Sequence, residues 1–193
     1  MGPPPCSRLP RALMMAIMSG SLFDGLPVRS RVHAPGHVLF SRGGPVQAVY
    51  RVKDGMVELV RHGAEGRALV LQRAGPGAIL AEASLFSASY HCDAIVRRES
   101  VMESVRAADL RRRLREPAFA EGWMARLSHE VQSMRLRAEI LSLRTVSERL
   151  SAWLDVYGPP PPEGRWVDVA AELAVSPEAL YRELAKRRRS VKT

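Results

Sequence analysis

Short apolar segments separated by turn residues follow one another between Val28 and about Ile95. Several of them alternate apolar and polar positions, which is the period of a strand with one buried face. The predicted strands are Arg31-Val32-His33, Val38-Leu39-Phe40, Ala48 to Val52, Met56 to Arg61 and Ala68 to Gln72. The pattern predicts an antiparallel β-roll, with Asp54-Gly55 as a hairpin turn because a type I′ turn needs positive φ.

The hydrophobic period changes after residue 116, where apolar residues recur at alternating steps of three and four. These residues are Met124, Leu127, Val131, Met134, Ala138 and Leu141. Such spacing is a coiled-coil seam, so we predict one helix from about Pro117 to Tyr157 that pairs with a second copy of the chain. A second stripe, Leu136, Ile140 and Leu143, is available to the protein's own β-roll. The alternative is an amphipathic helix packed only within the monomer.

Two short helical segments with a tight turn between them are predicted near the C-terminus. Ser176 is a natural N-cap for the second segment, and Pro177 suits its first helical position. Small Ala170 lets the two helices cross closely. The residues that can form the buried face are Leu173, Val175, Leu180 and Leu184. This layout is that of a DNA-binding helix-turn-helix, although an ordinary helical hairpin has the same pattern.

Charge supports an anionic partner, since 29 Lys and Arg against 20 Asp and Glu give a formal net charge of +9. Basic residues are concentrated after Pro177. They are Arg182, Lys186, Arg187, Arg188, Arg189 and Lys192. Contact with phosphate is the simplest use for this tail, and a solvated chain terminus is the alternative.

Several classes of protein are not supported by the sequence. The chain has two cysteines, Cys6 and Cys92, which are far apart in the sequence. This spacing argues against a disulfide framework and a zinc site, and it fits a cytoplasmic protein. Two thiols are also too few for an iron-sulfur cluster, which needs about four. No apolar run reaches the ~20 residues of a membrane span. The run Ala12 to Met18 imitates a signal peptide but lacks an A-x-A-like cleavage site. No nucleophile-base pair, phosphate-binding glycine loop or paired acid stands out, so we do not expect an enzyme.

The 193-residue chain, with 46% hydrophobic residues, favours two modules. Gly158 and the four prolines after it end the long helix and supply a stiff spacer. We expect an N-terminal extension or helix over 1–25 and a β-roll over 26–115. A dimerisation helix over 116–157 and a helix-turn-helix domain over 158–193 complete the expected order.

Four segments taken in order resemble the sensor domain of the Crp/Fnr family of bacterial transcription regulators. They are Pro35 to Phe40, Val49 to Leu59, Gly75-Pro76-Gly77 and Glu82 to Phe86. The resemblance implies an α+β fold with a double-stranded β-roll (jelly roll), a long dimerisation helix and a small helix-turn-helix domain. It implies a homodimeric one-component regulator that binds double-stranded DNA. The DNA-binding residues expected from it and from the basic tail are Ser176, Pro177, Glu178, Tyr181, Arg182, Lys186, Arg187, Arg188 and Arg189.

The chain departs from the family at the phosphate cassette. Members that respond to cyclic nucleotides begin the cassette with Gly-Glu and later carry Arg-Ser, whereas this chain has Ala81-Glu82 and Cys92-Asp93. A carboxylate at a phosphate site costs affinity, so we do not expect cyclic AMP to bind, and the effector and any cofactor stay unknown. The effector-pocket candidates are Glu82, Ser84, His91, Cys92 and Asp93. A haem or thiol role for His91-Cys92 is less expected than a small buried cysteine.

A second departure concerns the DNA-binding domain. Family members follow the recognition helix with a β-hairpin wing, and we expect no wing in this sequence, which ends at Thr193. Ala174 stands where the family usually places glycine, at a cost of ~1 kcal/mol if positive φ is needed there. Expected partners are DNA and a second copy of the chain, with RNA polymerase left open and no membrane. The alternative is a β-roll ligand-binding or interaction protein whose shortened C-terminal domain no longer binds DNA.

Overall fold

The computed structural model of the chain describes residues 22–63, 65–66, 68–158 and 166–190. The N-terminal extension predicted over 1–25 therefore lies mostly outside the described residues. One compact unit ends at Met124, and a second begins at Ala125. The first unit is built mainly from strands, and the second consists of helices.

The six strands of the first unit form one antiparallel sheet. They are β1 (Arg29–His33), β2 (Val38–Phe40), β3 (Ala48–His62), β4 (Ala68–Ala74), β5 (Ile79–Leu80) and β6 (Asp93–Arg106). The order is β1-β6-β3-β4, with β2 also paired to β6 and β5 to β3. The predicted β-roll and α+β fold class are confirmed. The long strand β6 was not among the predicted strands. It pairs with β1, β2 and β3 in this sheet.

The core of the roll is formed by apolar side chains from β2, β3, β4, β5 and β6. Val52, Val57 and Val96 are fully buried there, beside Phe40. Tyr90 closes one end of this core, because its hydroxyl accepts from the backbone N–H groups of residues 47 and 48 at 3.1 Å each and donates to the carbonyl of residue 48 at 3.0 Å. A buried phenol with all its hydrogen bonds made fixes the packing around it.

The hairpin turn predicted at Asp54-Gly55 is wrong, because β3 runs through both residues. The register between β3 and β6 shifts around Asp54 and Met56, as it does at a β-bulge. Gly55 has φ +95°, and a Cβ on it would lie 2.2 Å from the Ser100 hydroxyl oxygen. Positive φ is thus present as predicted, but it permits a close approach to β6 rather than a reversal of the chain.

The described residues hold five α-helices. They are α1 (Ala107–Arg113), α2 (Pro117–Ser142), α3 (Val146–Tyr157), α4 (Trp166–Glu172) and α5 (Pro177–Ser190). The single helix predicted over 117–157 is wrong, because Thr145 begins a new helix with a capping box. Its hydroxyl accepts from the Glu148 N–H at 3.1 Å, and the Glu148 carboxylate accepts from the Thr145 N–H at 2.9 Å.

The second apolar stripe of α2 is used within the helical unit. Ile140 is buried in one cluster with Leu150, Trp153 and Leu180, and Leu136 packs against that cluster. The prediction that this stripe serves the β-roll is therefore wrong for Ile140 and Leu136. The break at Thr145 explains the difference, because it lets three further helices supply apolar side chains that cover the stripe.

Candidate effector pocket and nucleic-acid interface

The cassette starts with a strained residue. Ala81 has φ +71° and is buried where it precedes the short 3-10 turn Glu82–Ser84. A left-handed conformation is costly for a residue with a Cβ and persists only where the surroundings enforce it. The turn thus keeps a backbone conformation suited to glycine, although alanine occupies the position.

Two of the predicted pocket residues contact each other. The Ser84 hydroxyl lies 2.8 Å from Nδ1 of His91, and the Arg61 guanidinium donates to the His91 carbonyl at 3.3 Å. Burial, and then the positive charge of Arg61, lower the pKa of His91. The imidazole is consequently neutral at physiological pH and is engaged by a buried hydroxyl of its own chain.

Asp93 is held by a different pair of groups. One carboxylate oxygen accepts from the Arg42 backbone N–H at 2.8 Å, and the other lies 3.2 Å from Nδ1 of His62. The Asp93 carboxylate is therefore engaged from two sides by the protein itself. No local pattern indicates Arg42, Arg61 or His62, because they are 30 to 51 positions away from their partners and only the folded sheet brings them together.

Cys92 is fully buried and belongs to the core of the roll. Burial first, and then the charges of Asp93 and Glu82, raise the pKa of its thiol to about 11. A thiol with this pKa is protonated at neutral pH, so it is a poor nucleophile and a poor metal ligand. Among the described residues, no group of three or more His, Cys, Asp and Glu side chains is placed to hold a metal ion.

The helix-turn-helix has the local geometry that its sequence predicted. The Ser176 hydroxyl accepts from the Ala179 N–H at 3.2 Å, and α5 begins at Pro177. Leu173 and Leu180 are fully buried between the helices. Ala174 in the turn has φ +52°, so positive φ is required at the position where the family usually has glycine.

Helix α5 has one face packed on its neighbours and one face exposed. Leu180 and Leu184 pack in the helical cluster. Glu178, Arg182 and Arg189 are exposed and follow one another at steps of four and seven, which places them along a single opposite face. The other exposed members of the predicted DNA-binding set are Tyr181, Lys186 and Arg188.

Arg187 is placed apart from that exposed face. Its guanidinium donates to the Ser147 carbonyl at 2.6 Å and to the Ser151 hydroxyl at 2.8 Å, and it pairs with Glu183 at 3.0 Å. The side chain therefore ties α5 to α3. A guanidinium engaged in this way is less available to a phosphate than its neighbours.

The predicted dimer seam is largely open to solvent. The exposed fractions of Met124, Val131 and Met134 are 60%, 41% and 57%, and Ala138 is exposed as well. Leu127 and Leu141 are half-buried. A row of large apolar side chains on one helix face is the usual feature of a surface that pairs with another chain.

Comparison with known proteins identifies the β-roll. Residues 30–116 match the family model described as the cyclic nucleotide-binding domain. The β-roll is therefore similar to a cyclic nucleotide-binding domain. No curated protein sequence matches the chain significantly. The family resemblance of the sequence places Cys92 and Asp93 where members responsive to cyclic nucleotides carry Arg-Ser.

Solved structures extend the likeness to most of the chain. FixK2 from Bradyrhizobium japonicum has a TM-score of 0.67 at 17% identity, covering 86% of each chain. The c-di-GMP responsive regulator CLP of Xanthomonas campestris has a TM-score of 0.57 at 19% identity, covering 84% of this chain and 87% of its own. The catabolite activator protein of Thermus thermophilus has a TM-score of 0.50 at 26% identity, covering 88% and 87%. The predicted resemblance to the Crp/Fnr regulators is confirmed for the sensor domain and the fold.

Helices of the described residues include none that is both long enough and apolar enough to cross a bilayer.

Proposed function

We propose that this protein is a cytoplasmic, homodimeric transcription regulator that binds DNA through α5 and responds to an effector other than cyclic AMP. The observation that carries the proposal is the capped helix-turn-helix with an exposed polar face. That face occurs in a strongly basic chain that also holds a cyclic nucleotide-binding domain. No catalytic step is proposed for it.

The exposed face of α5 offers suitable chemistry for the major groove. Hydrogen bonds from its own backbone N–H and from Ser176 lower the pKa of Glu178, so its carboxylate is ionised at neutral pH. An ionised Glu178 accepts from a cytosine amino group, and Arg182 donates to guanine or to phosphate. Lys186, Arg188 and Arg189 add contacts to phosphate, which supply affinity but no sequence information.

Dimerisation is supported by the exposed seam on α2. A helix-turn-helix dimer meets two half-sites of a pseudo-palindrome, and its two recognition helices lie about one turn of DNA apart.

The effector proposal rests on Asp93. The sequence resemblance puts this residue where related proteins have a phosphate-binding group, and its carboxylate accepts from the Arg42 N–H, so a cyclic phosphate there would meet negative charge rather than an arginine.

The experiment that tests this function is a selection of bound sequences from random duplexes at moderate salt, followed by titration of the best duplex. We expect a sequence preference, and we expect Arg182→Ala to weaken the best site by ~1–3 kcal/mol and to relax the selectivity. Arg98→Ala is the matched control, because it removes an exposed arginine from the β-roll.

A parent protein that shows no sequence preference would overturn the proposal. The chain would then be better described as a β-roll ligand-binding or interaction protein. An Arg98→Ala variant that loses selectivity as much as Arg182→Ala would show that net charge, and not α5, carries the binding.

A further inference from the structure

Arg149 in the first turn of α3 donates to two main-chain carbonyls that belong to different parts of the helical unit. Its Nε donates to the carbonyl of Leu143, directly after α2, at 2.8 Å. Its Nη1 donates to the carbonyl of Leu173, in the turn of the helix-turn-helix, at 3.0 Å. One planar guanidinium thus connects the end of the proposed dimer helix to the turn of the DNA-binding motif.

Both carbonyls lie where a helix ends. The last carbonyls of a helix have no partner within it and carry its partial negative charge, so a guanidinium is well suited to both positions. Arg149 is itself fixed in place. Its backbone N–H donates to the Thr145 carbonyl at 3.1 Å, directly after the capping box that starts α3. The side chain therefore extends from a well-defined helix start.

Other polar links in this unit join α3 to the helices that follow it. The indole N–H of Trp153 donates to Glu172 of α4 at 2.8 Å, and Arg187 of α5 donates to the Ser147 carbonyl. The apolar contacts of Ile140 attach the end of α2 to the same cluster. Hydrophobic contact is not directional, however, whereas a planar fork that donates to two carbonyls restricts orientation.

We propose that Arg149 is a positioning residue that sets the orientation of the helix-turn-helix relative to α2. The inference rests on the proposed function, in which α2 forms the dimer and α5 contacts DNA. Two recognition helices gain affinity from each other only if their geometry lets both bind at once. A loss of orientation consequently lowers the affinity for a full palindromic site, whereas the affinity for one half-site is unaffected.

The test compares full-site and half-site duplexes of the selected sequence, using the full chain. We expect Arg149→Gln to weaken full-site binding about tenfold or more, while half-site binding stays within about twofold of the parent. The substitution removes the gain from simultaneous binding of two recognition helices, whereas the contacts of each α5 with its half-site remain. Arg149→Lys should give an intermediate ratio, because an ammonium does not reproduce the planar fork. Arg144→Gln, at an exposed arginine in the same junction, should match the parent.

Three outcomes would overturn the inference. Equal losses on both duplexes would show that Arg149 only stabilises the motif, and a parent-like ratio in both Arg149 variants would show that it has no role. The Lys variant decides the question if the Gln variant does not fold. A parent protein that binds neither duplex would instead overturn the proposed function, and the inference would fall with it.

Discussion

Alanine occupies a position of positive φ both in the turn of the helix-turn-helix and in the turn of the cassette. The surroundings of the two turns differ. Ala174 and Ala81 both have positive φ, and the sequence resemblance to the Crp/Fnr family places both where glycine is usual. Next to Ala174, the polar side chains of Glu178 and Arg182 are exposed. Beyond Ala81, by contrast, the polar groups of the cassette contact one another and the strands around them.

The two turns thus share a backbone conformation but differ in how their polar side chains are engaged. Both turns keep a backbone conformation that alanine adopts at a cost, so packing maintains the shape. The side chains differ: in the cassette, the Asp93 carboxylate accepts from the Arg42 N–H and contacts His62, and a carboxylate disfavours an anionic ligand. The exposed face of α5 carries Glu178 and Arg182, side chains of the kind that contact DNA bases. We therefore expect the helical unit to bind DNA, as proposed, and the β-roll to take a ligand other than a cyclic nucleotide.

The largest expected effect is on the seam that brings two helical units together. Val131→Glu should convert the dimer to monomers, because a carboxylate buried in the seam without a partner costs several kcal/mol. Sedimentation velocity measures the result. Gln132→Glu adds the same charge at an exposed position beside the seam and should leave the dimer intact. A Val131→Glu protein that sediments as a dimer would show that the seam is assigned to the wrong face.

The sequence predicted those parts of the fold that local patterns determine. The strands up to β4 and the Ser176 cap follow from periodicity and from the residues themselves, whereas β5 and β6 were not predicted. The positive φ of Ala174 was expected only through the family resemblance. The prediction is wrong at Gly55, where positive φ serves a bulge, and at Thr145, where the Thr-x-x-Glu capping signature interrupts an otherwise continuous apolar period.

The contacts of the candidate pocket could not be predicted in the same way. Those of Asp93 with Arg42 and His62 join positions 51 and 31 residues apart, and no local pattern reports such pairs. The folding of the sheet decides which of these side chains meet.

A smaller effect tests whether the cassette has kept any thiol chemistry. At neutral pH, a Cys92 pKa of about 11 rather than 9.0 leaves about a hundredfold less thiolate than in the unfolded chain. Alkylation of the folded Cys6→Ser protein should therefore be slower by at least that factor than alkylation in denaturant. Mass spectrometry over time measures both rates. Comparable rates would mean that Cys92 is accessible and activated, and would reopen a redox role for the sensor.

The smallest effects test the two strained turns directly. Ala81→Gly and Ala174→Gly should each raise the free energy of unfolding by up to ~1 kcal/mol, because glycine adopts positive φ without steric cost. Denaturant titration measures both changes. Ala185→Gly, in the exposed middle of α5, should instead lower the free energy of unfolding by ~0.5–1 kcal/mol. Destabilisation at position 81 or 174 would mean that the turn there is not held in the left-handed conformation.

The most direct test of the central claim is the affinity of the parent protein for its selected duplex, measured by fluorescence anisotropy as cyclic AMP is titrated. The helical unit should bind DNA without the nucleotide, and the affinity should not change on its addition, since the resemblance places the Asp93 carboxylate where a cyclic phosphate would bind. A DNA affinity that rises or falls with micromolar cyclic AMP would contradict the account, because it would show that the cassette still binds the nucleotide and transmits that binding to α5.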